Sequence, residues 1–497
     1  MKTFVAVDIG ASSGRLIKSY IVEGRIKIEE IHRFKNGFQR KNQFQRWDID
    51  YLANEIIIGL EKLKKQGTLE CYVGIDTWGV DYCLIDENQH LIDQPIAYRD
   101  ERTSQAVAEF SEQMPLKTLY EKTGIQIQPF NTIFQLFVES RKRIEKADKL
   151  LLIPDYLGYF FTGKLAMEKT NASTTQLLNI QTKDWDSDIL KILGLSSDLF
   201  PPLVEPGEVL GDLLHEKFPE FDLPKTTFIH VASHDTASAI IGTPGTGDDW
   251  AYVSSGTWSL LGVEKKRPNT SIKAYLSNYT NESGGNGTIR FLKNIMGMWI
   301  IQEVARMQDY IYSYAELTNL AMTVPAFQQF IDINDSRFLN PNNMIEELQD
   351  YCRETQQVIP ETTAEIARCV YDNLALRYAL ELQELQDLIP EQVKLNKLHI
   401  VGGGANNHLL NQLTADVANI VVEAGPTEAT AIGNLAIQMI CAGEFPSIET
   451  TRASIKESFE FSVYKPRPFD FDILEKYQTI TTHKKEEVIW ITNKSIH

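Results

Sequence analysis

Five cysteines in 497 residues are too few to staple a chain of this size. None are spaced as CxxC or gathered with histidines, so neither a disulfide scaffold nor a zinc site is expected. Positive charge is also short. The 49 Lys and Arg against 67 Asp and Glu leave a formal net charge of −18, which disfavours nucleic acid or an anionic membrane as partner, because both need a basic face. No apolar run reaches the roughly 18 residues that span a bilayer. The opening MKTFVAVDIG enters a strand pattern directly, without the basic and apolar regions of a signal peptide. The expectation is a cytoplasmic protein, a monomer or weak homo-oligomer, with no membrane and no nucleic-acid partner. Two nucleotide signatures are missing as well: no GxGxxG opens a helix and no GK[ST] occurs, which argues against an NAD site or a P-loop.

What is present is 43% hydrophobic and 23% charged, a globular composition. The length exceeds one ordinary core, so about two domains are expected. Residues 3–9 and 14–22 read as strands. The turn GASSG between them is too short for a crossover helix and predicts an antiparallel hairpin. In RWDIDYLANEIIIGLEKLKKQG, Asp48 or Asp50 caps a helix, Leu52, Ile56, Leu60 and Leu63 recur on one face, and Gly67 ends it. CYVGIDTWGVDYCLID is again strand, turn, strand, so the first third is a mixed sheet carrying helices. Residues 101–193 are more helical. FIHVASHDTASAIIG predicts a strand over 228–232 and a helix from about Thr236.

The Gly-, Thr- and Asp-rich stretch GTPGTGDDW, 242–250, reads as a boundary. AYVSSGTWSLLGVE then repeats the opening pattern of two short strands around small residues, which predicts two domains of related topology. A helical segment near 361–387 leads to LHIVGGGANNHLLNQLTADVANIVV, a strand, a glycine turn, a helix and a strand. The expected boundaries are 1–244, 245–445 and a C-terminal extension, 446–497.

Four constellations can carry chemistry. In DIGASSGR, a turn of small residues exposes successive amides able to cradle phosphate, and Asp8 at the strand end suits a Mg²⁺ held directly or through water. A tight turn with a structural acid fits the same residues. SSGTWSL, 254–260, repeats the device without the acid, and two such turns can clamp a polyphosphate. VGGGANN, 401–407, lets a flat ligand approach the backbone, or else serves a close strand–helix contact. In SHDTASAI, Asp235 is either a helix cap or a general base that accepts a hydroxyl proton during phosphoryl transfer, and the two roles are compatible. Trp78 and Tyr82 offer a sugar-stacking face or core filling. YRDERT, 98–103, is a polyol contact or solvated charge. Lys293, Asn294 and Gln302 interrupt an apolar helical spacing and are candidates to face a ligand. Cys352 and Cys369 are expected to be free thiols.

Taken in order, DIGASSGR, GIDTWGVDY, SHDTASA, SSGTWSLLG, LKNIMGMWIIQ and VGGGANN resemble the blocks of the FGGY carbohydrate kinases, of the actin–Hsp70–hexokinase ATPase superfamily. The nearest branch is the one that phosphorylates the 1-hydroxyl of L-rhamnulose. The resemblance implies an α/β fold of two RNase H-like domains around a central cleft, with ATP and Mg²⁺ as cofactors and a small ketose as substrate. It implies that Ala11, Ser12, Ser13, Gly14 and Arg15 form the first phosphate loop and that Thr257 meets ATP from the second turn. Gln302 and Gly403 then hold the nucleotide; Gly79, His234, Asp235, Thr236 and Asn294 hold the sugar; Asp235 is the base; Asp8 positions the metal. Some members have a disulfide at cysteines matching Cys352 and Cys369. A second pair of that kind has Thr414 and Ala418 at its positions here. Two rivals stay open: a kinase of another ketose or polyol, such as fuculose, xylulose or glycerol, and a non-enzymatic ATPase of the actin or Hsp70 type.

Overall fold

The computed structural model describes residues 2–481. The chain divides into two compact units. The first comprises the residues up to Thr246, Glu264–Leu292 and Glu428–Phe459; the second comprises Gly247–Val263, Lys293–Thr427 and the residues from Glu460 onward.

The first unit is built on strands β1 (Phe4–Ile9), β2 (Ser13–Val22), β3 (Arg25–Lys35), β4 (Glu70–Thr77), β5 (Val209–Asp212) and β6 (Lys225–Ile229), in the sheet order β5-β6-β4-β1-β2-β3. β1 and β2 form the expected antiparallel hairpin, with Ile9 opposite Gly14. β4 lies parallel on the other side of β1, with Asp8 opposite Asp76. Every residue of β1 is buried, as a central strand covered on both faces demands, and its apolar run is broken only by Asp8.

Helix Ile49–Lys65 starts where Asp48 accepts the Tyr51 amide, and Leu52, Ile56, Leu60 and Leu63 are all buried. Each such side chain contributes about 1.5–3 kcal/mol on leaving water. At Gly59 a Cβ would lie 2.4 Å from Leu16 Cδ2, so this helix approaches β2 more closely than a larger residue permits. Helix Asp235–Ile241 follows β6 and packs on helix Ala429–Cys441. That contact is tight, because a Cβ at Gly433 would sit 1.7 Å from the Ser238 carbonyl oxygen.

The second unit repeats the hairpin. Strand β7 (Trp250–Ser255) runs antiparallel to β8 (Trp258–Lys265), with Ser255 opposite Ser259. β9 (Lys397–Val401) lies parallel to β7, with Val401 opposite Ser254. β10 (Val421–Ala424) and β11 (Ser462–Tyr464) extend the sheet. The predicted helix near 361–387 is observed as Thr363–Leu388, opened by a capping box between Thr362 and Glu365. Among the described residues no helix is long and apolar enough to cross a membrane. All five cysteines are free, with Cys352 and Cys369 buried.

Candidate active site

In the first unit three carboxylates come together at the ends of β1, β4 and the segment after β6. Asp8 and Asp76 are register partners on adjacent parallel strands, so their side chains leave the sheet side by side on the same face. The Thr77 amide donates to the Ser233 carbonyl at 2.9 Å, which ties the end of β4 to the turn carrying His234 and Asp235. Asp8 accepts from Arg15 Nη2 at 2.6 Å, and the other end of that guanidinium is bound by Glu428. Burial pushes the Asp8 carboxyl up; Arg15 opposes this, while Asp235 and Glu428 add to it. Asp76 is fully buried and is raised well above the usual carboxylate range, by burial first and then by the charge of Asp8. Its Oδ2 accepts from Asn434 Nδ2 at 2.6 Å, while its Oδ1 has no partner.

The turn at the tip of the first hairpin is held from outside. Gly10 N–H donates to the Ser13 carbonyl, and Asn36 binds both Gly10 O and Ser12 O. The amides of Ala11 and Ser12 have no acceptor among the described residues, and Ser12 is exposed. Gly14 is required for packing, since a Cβ there would meet the Phe34 ring at 2.1 Å.

Asp235 is the first residue of its helix, and His234 is the cap, one position off the capping role expected for the acid. Its Oδ1 accepts from Thr236 N at 2.5 Å and Thr236 Oγ1 at 3.0 Å. The turn before it is clamped by Glu168, which accepts from Ser233 N at 3.0 Å and Ser233 Oγ at 2.8 Å. Gly79 belongs to the same unit, where a Cβ would lie 2.9 Å from Thr174 Oγ1.

Trp78 does not present a sugar-stacking face. It is 6% exposed, packs tilted against Trp47 at 4.2 Å between centroids, and donates with it to Asp81 Oδ2. Burial pushes Asp81 up to about 6 against these donors. Tyr82 is likewise buried, donating to Glu139. Arg102 of the YRDERT stretch is neither solvated nor free; its side chain is 10% exposed and ion-paired to Glu139.

The second unit assembles Thr257, Gln302 and Gly403. Thr257 Oγ1 donates to Gln302 Oε1 at 3.5 Å. Helix Trp299–Met307 starts directly from the turn, with Met298 N–H on Gly256 O and Trp299 N–H on Thr257 O. Gly297 permits this contact, because a Cβ there would lie 2.6 Å from the Trp258 carbonyl carbon. Gly402, with φ +79°, turns the chain over Ser255. A Cβ at Gly404 would sit 2.0 Å from Ser255 Oγ, so the glycine run packs against the end of β7. Asn294 is half-buried on strand Ile289–Met296. Lys293 is committed to Glu381 and Glu384, at 2.7 and 2.9 Å.

Residues 3–242 match the N-terminal domain, and residues 251–442 the C-terminal domain, of the FGGY family of carbohydrate kinases. The chain belongs to this family. Two relatives align over nearly their whole length. A rhamnulokinase of Enterococcus faecalis is 62% identical over 478 residues, 96% of this chain and 97% of the relative. A rhamnulokinase of Bacillus subtilis is 50% identical over 476 residues, 96% and 98%. A ligand-bound xylulose kinase from Lactobacillus acidophilus has the same fold, with TM-score 0.78 at 17% identity over 99% of each chain. A Plasmodium falciparum glycerol kinase with ADP gives 0.76 at 16% over 98% of each. The two-unit α/β architecture expected from the sequence is that of the FGGY kinases.

Three of this FGGY chain's contacts around the carboxylates escaped the sequence reading. Glu428, Asn434 and Gln438 come from the far end of the chain; Gln438 Nε2 donates to Val5 O and to Asn434 Oδ1, orienting the amide that holds Asp76. Asp76 itself stands in the GIDTWGVDY block, and its register with Asp8 was the available signal. Among the described residues no group of three or more side chains forms a ready metal cage. The donor set nevertheless fits Mg²⁺: two adjacent carboxylates, one oxygen unpartnered, suit an ion that keeps waters and takes its remaining ligands from phosphates.

Proposed function

We propose that this chain transfers the γ-phosphoryl group of ATP to the 1-hydroxyl of L-rhamnulose, giving L-rhamnulose 1-phosphate and ADP. The observation that carries the reading is Asp235, a carboxylate fixed at the start of a helix beside Asp8 and Asp76, in a chain 62% identical to a rhamnulokinase. Asp235 accepts the proton of the acceptor hydroxyl as its oxygen attacks the γ-phosphorus in line; the bond to the bridging oxygen breaks and ADP leaves.

Ala11, Ser12, Ser13, Gly14 and Arg15 receive the phosphates. The unpartnered amides of Ala11 and Ser12 support this role, because a phosphate supplies the acceptors they lack. Thr257, Gln302 and Gly403 take the rest of the nucleotide. Gly79, His234, Thr236 and Asn294 line the sugar. Asp8 and Asp76 would hold Mg²⁺, which when bound offsets charge on the transferring group. The five free thiols suit a reducing cytoplasm.

The test is turnover with ADP detection on L-rhamnulose beside L-fuculose and D-xylulose, for the wild type and for Asp235→Asn. The expected result is a clear preference for L-rhamnulose and a loss of about 10²–10⁴-fold in kcat for the variant, the range a positioned base supplies, with nucleotide affinity retained. A preference for another ketose overturns the substrate. Near-normal turnover in the variant overturns the base.

A further inference from the structure

Arg290 lies where strand Ile289–Met296 begins, directly opposite Glu282 on strand Thr280–Ser283. Its side chain is 0% exposed, although a guanidinium is among the costliest groups to bury without a purpose. Nε donates to the Ser283 carbonyl at 3.0 Å, and Nη2 lies 3.0 Å from Glu282 Oε2 and 3.1 Å from His234 Nδ1. A guanidinium has donors and no acceptor. His234 Nδ1 therefore presents its lone pair to Arg290, and the proton of the neutral ring sits on Nε2. That nitrogen faces Asp235 Oδ1 at 3.4 Å.

The opposite tautomer fails at both ends. Nδ1–H would turn towards Glu282 Oε2, 3.4 Å away, and confront the Arg290 N–H. Nε2 would then set a lone pair against the Asp235 carboxylate. With Nε2–H in place, a donor lies 3.4 Å from Asp235 Oδ1, which already accepts from Thr236 N and Thr236 Oγ1. Oδ2 has no partner among the described residues.

We propose that Arg290, braced by Glu282, fixes His234 as its Nε2–H tautomer, and that this holds Asp235 with Oδ1 saturated and Oδ2 open to the acceptor hydroxyl. Arg290 is a positioning residue; it acts through His234, and the proposal rests on Asp235 being the base.

The direct test needs no change at Arg290. In the ¹⁵N-labelled full-length protein, long-range ¹H–¹⁵N correlation reads the protonation of each imidazole nitrogen, and the His234 signals are assigned by their loss in His234→Gln. The expected pattern is an unprotonated Nδ1 and a protonated Nε2. An Nδ1–H pattern overturns the proposal while leaving the base reading intact. Arg290→Met should mix the tautomers and lower kcat about 10- to 100-fold, the scale of a lost charge-assisted hydrogen bond, with KM for ATP little changed. An unchanged tautomer and kcat in that variant also overturn it. Should Arg290→Met not fold, Glu282→Gln keeps the Arg290 donor and is expected to keep the Nε2–H signature; loss of that signature would show that Glu282 sets the tautomer instead. Near-normal turnover in Asp235→Asn would sink the base reading, and with it the role given to Oδ2, while the His234 tautomer, measured independently in the wild type, would stand.

Discussion

The turns at the tips of β1–β2 and β7–β8 are made the same way and furnished differently. Each joins an antiparallel pair, and each first strand carries a parallel partner on its other side, β4 in one unit and β9 in the other. The register puts Asp8 opposite Asp76 in the first unit and Ser254 opposite Val401 in the second. One construction thus ends in a pair of carboxylates, the other in a hydroxyl beside an apolar residue and a run of glycines. Around the first turn charge is concentrated: Arg15 is shared by Asp8 and Glu428, and the Asp8 and Asp76 carboxyls are raised by burial. Around the second, backbone is brought close to backbone by glycines that leave no room for a Cβ. The same strand geometry serves charge stabilisation in one copy and shape in the other. Local side chains, and not the hairpin, decide which.

The most severe way to test that contrast is to give the first turn the chemistry of the second. Asp8→Ser places there the residue type found at 254. If Asp8 positions the metal and the transferring phosphoryl group, kcat should fall roughly 10²–10³-fold, the loss of several kcal/mol of charge stabilisation, and the Mg²⁺ concentration for half-maximal turnover should rise. An unchanged Mg²⁺ titration with near-normal kcat would remove the functional difference between the turns.

Asp76→Asn probes the same pair with a smaller loss and an opposite effect on stability. The Asp76 pKa is raised in the folded state above an unfolded value of about 4, so the native protein binds this proton more tightly than the unfolded chain. Its favourable contribution is complete at acid pH and is lost as pH rises through the folded pKa. The neutral amide, accepting from Asn434 as the acid does, should therefore raise Tm at neutral pH, and the gain should shrink towards acid pH. Turnover should drop about tenfold or more, as expected when a group placed for function is exchanged for one that suits the fold. A variant no more stable than the wild type at neutral pH would show that the buried carboxylate carries no strain.

Much of this was legible from local pattern. The hairpin over 4–22, the Asp48-capped helix and the repeat at 250–265 follow from strand alternation, turn length and helical spacing, which are properties of neighbours in sequence. Thr257 and Gln302, each given to the nucleotide by the resemblance, lie in hydrogen-bond contact, a contact that neither block announces. What was not legible depends on long-range contact. Nothing near Glu428 or Asn434 marks them as partners of Arg15 and Asp76, because the helix that carries Asn434 and begins beside Glu428 packs more than 400 positions from β1 in sequence. Trp78 and Lys293 failed as ligand contacts for a related reason. An indole and an ammonium can satisfy a buried carboxylate as well as a sugar, and Asp81, Glu381 and Glu384 claim them first.

The mildest test returns to the second turn. At Gly404 a Cβ would lie 2.0 Å from Ser255 Oγ and 2.5 Å from Ser255 Cβ. Rotating the serine removes the first clash but not the second, so Gly404→Ala must push the glycine turn off the end of β7. Overpacking of this kind costs about 1–3 kcal/mol. If the turn shapes the nucleotide site, part of that cost should appear as an increase of several-fold to about tenfold in KM for ATP and in the Kd for ADP, with KM for the sugar and the Mg²⁺ dependence unchanged. Adding Ser255→Gly removes both clashing atoms and should recover most of the nucleotide affinity, though not the stability lost by a glycine in a strand. A Gly404→Ala protein that is less stable but binds ADP normally would leave the glycines a packing role, and the second turn would then differ from the first in function as well as in chemistry.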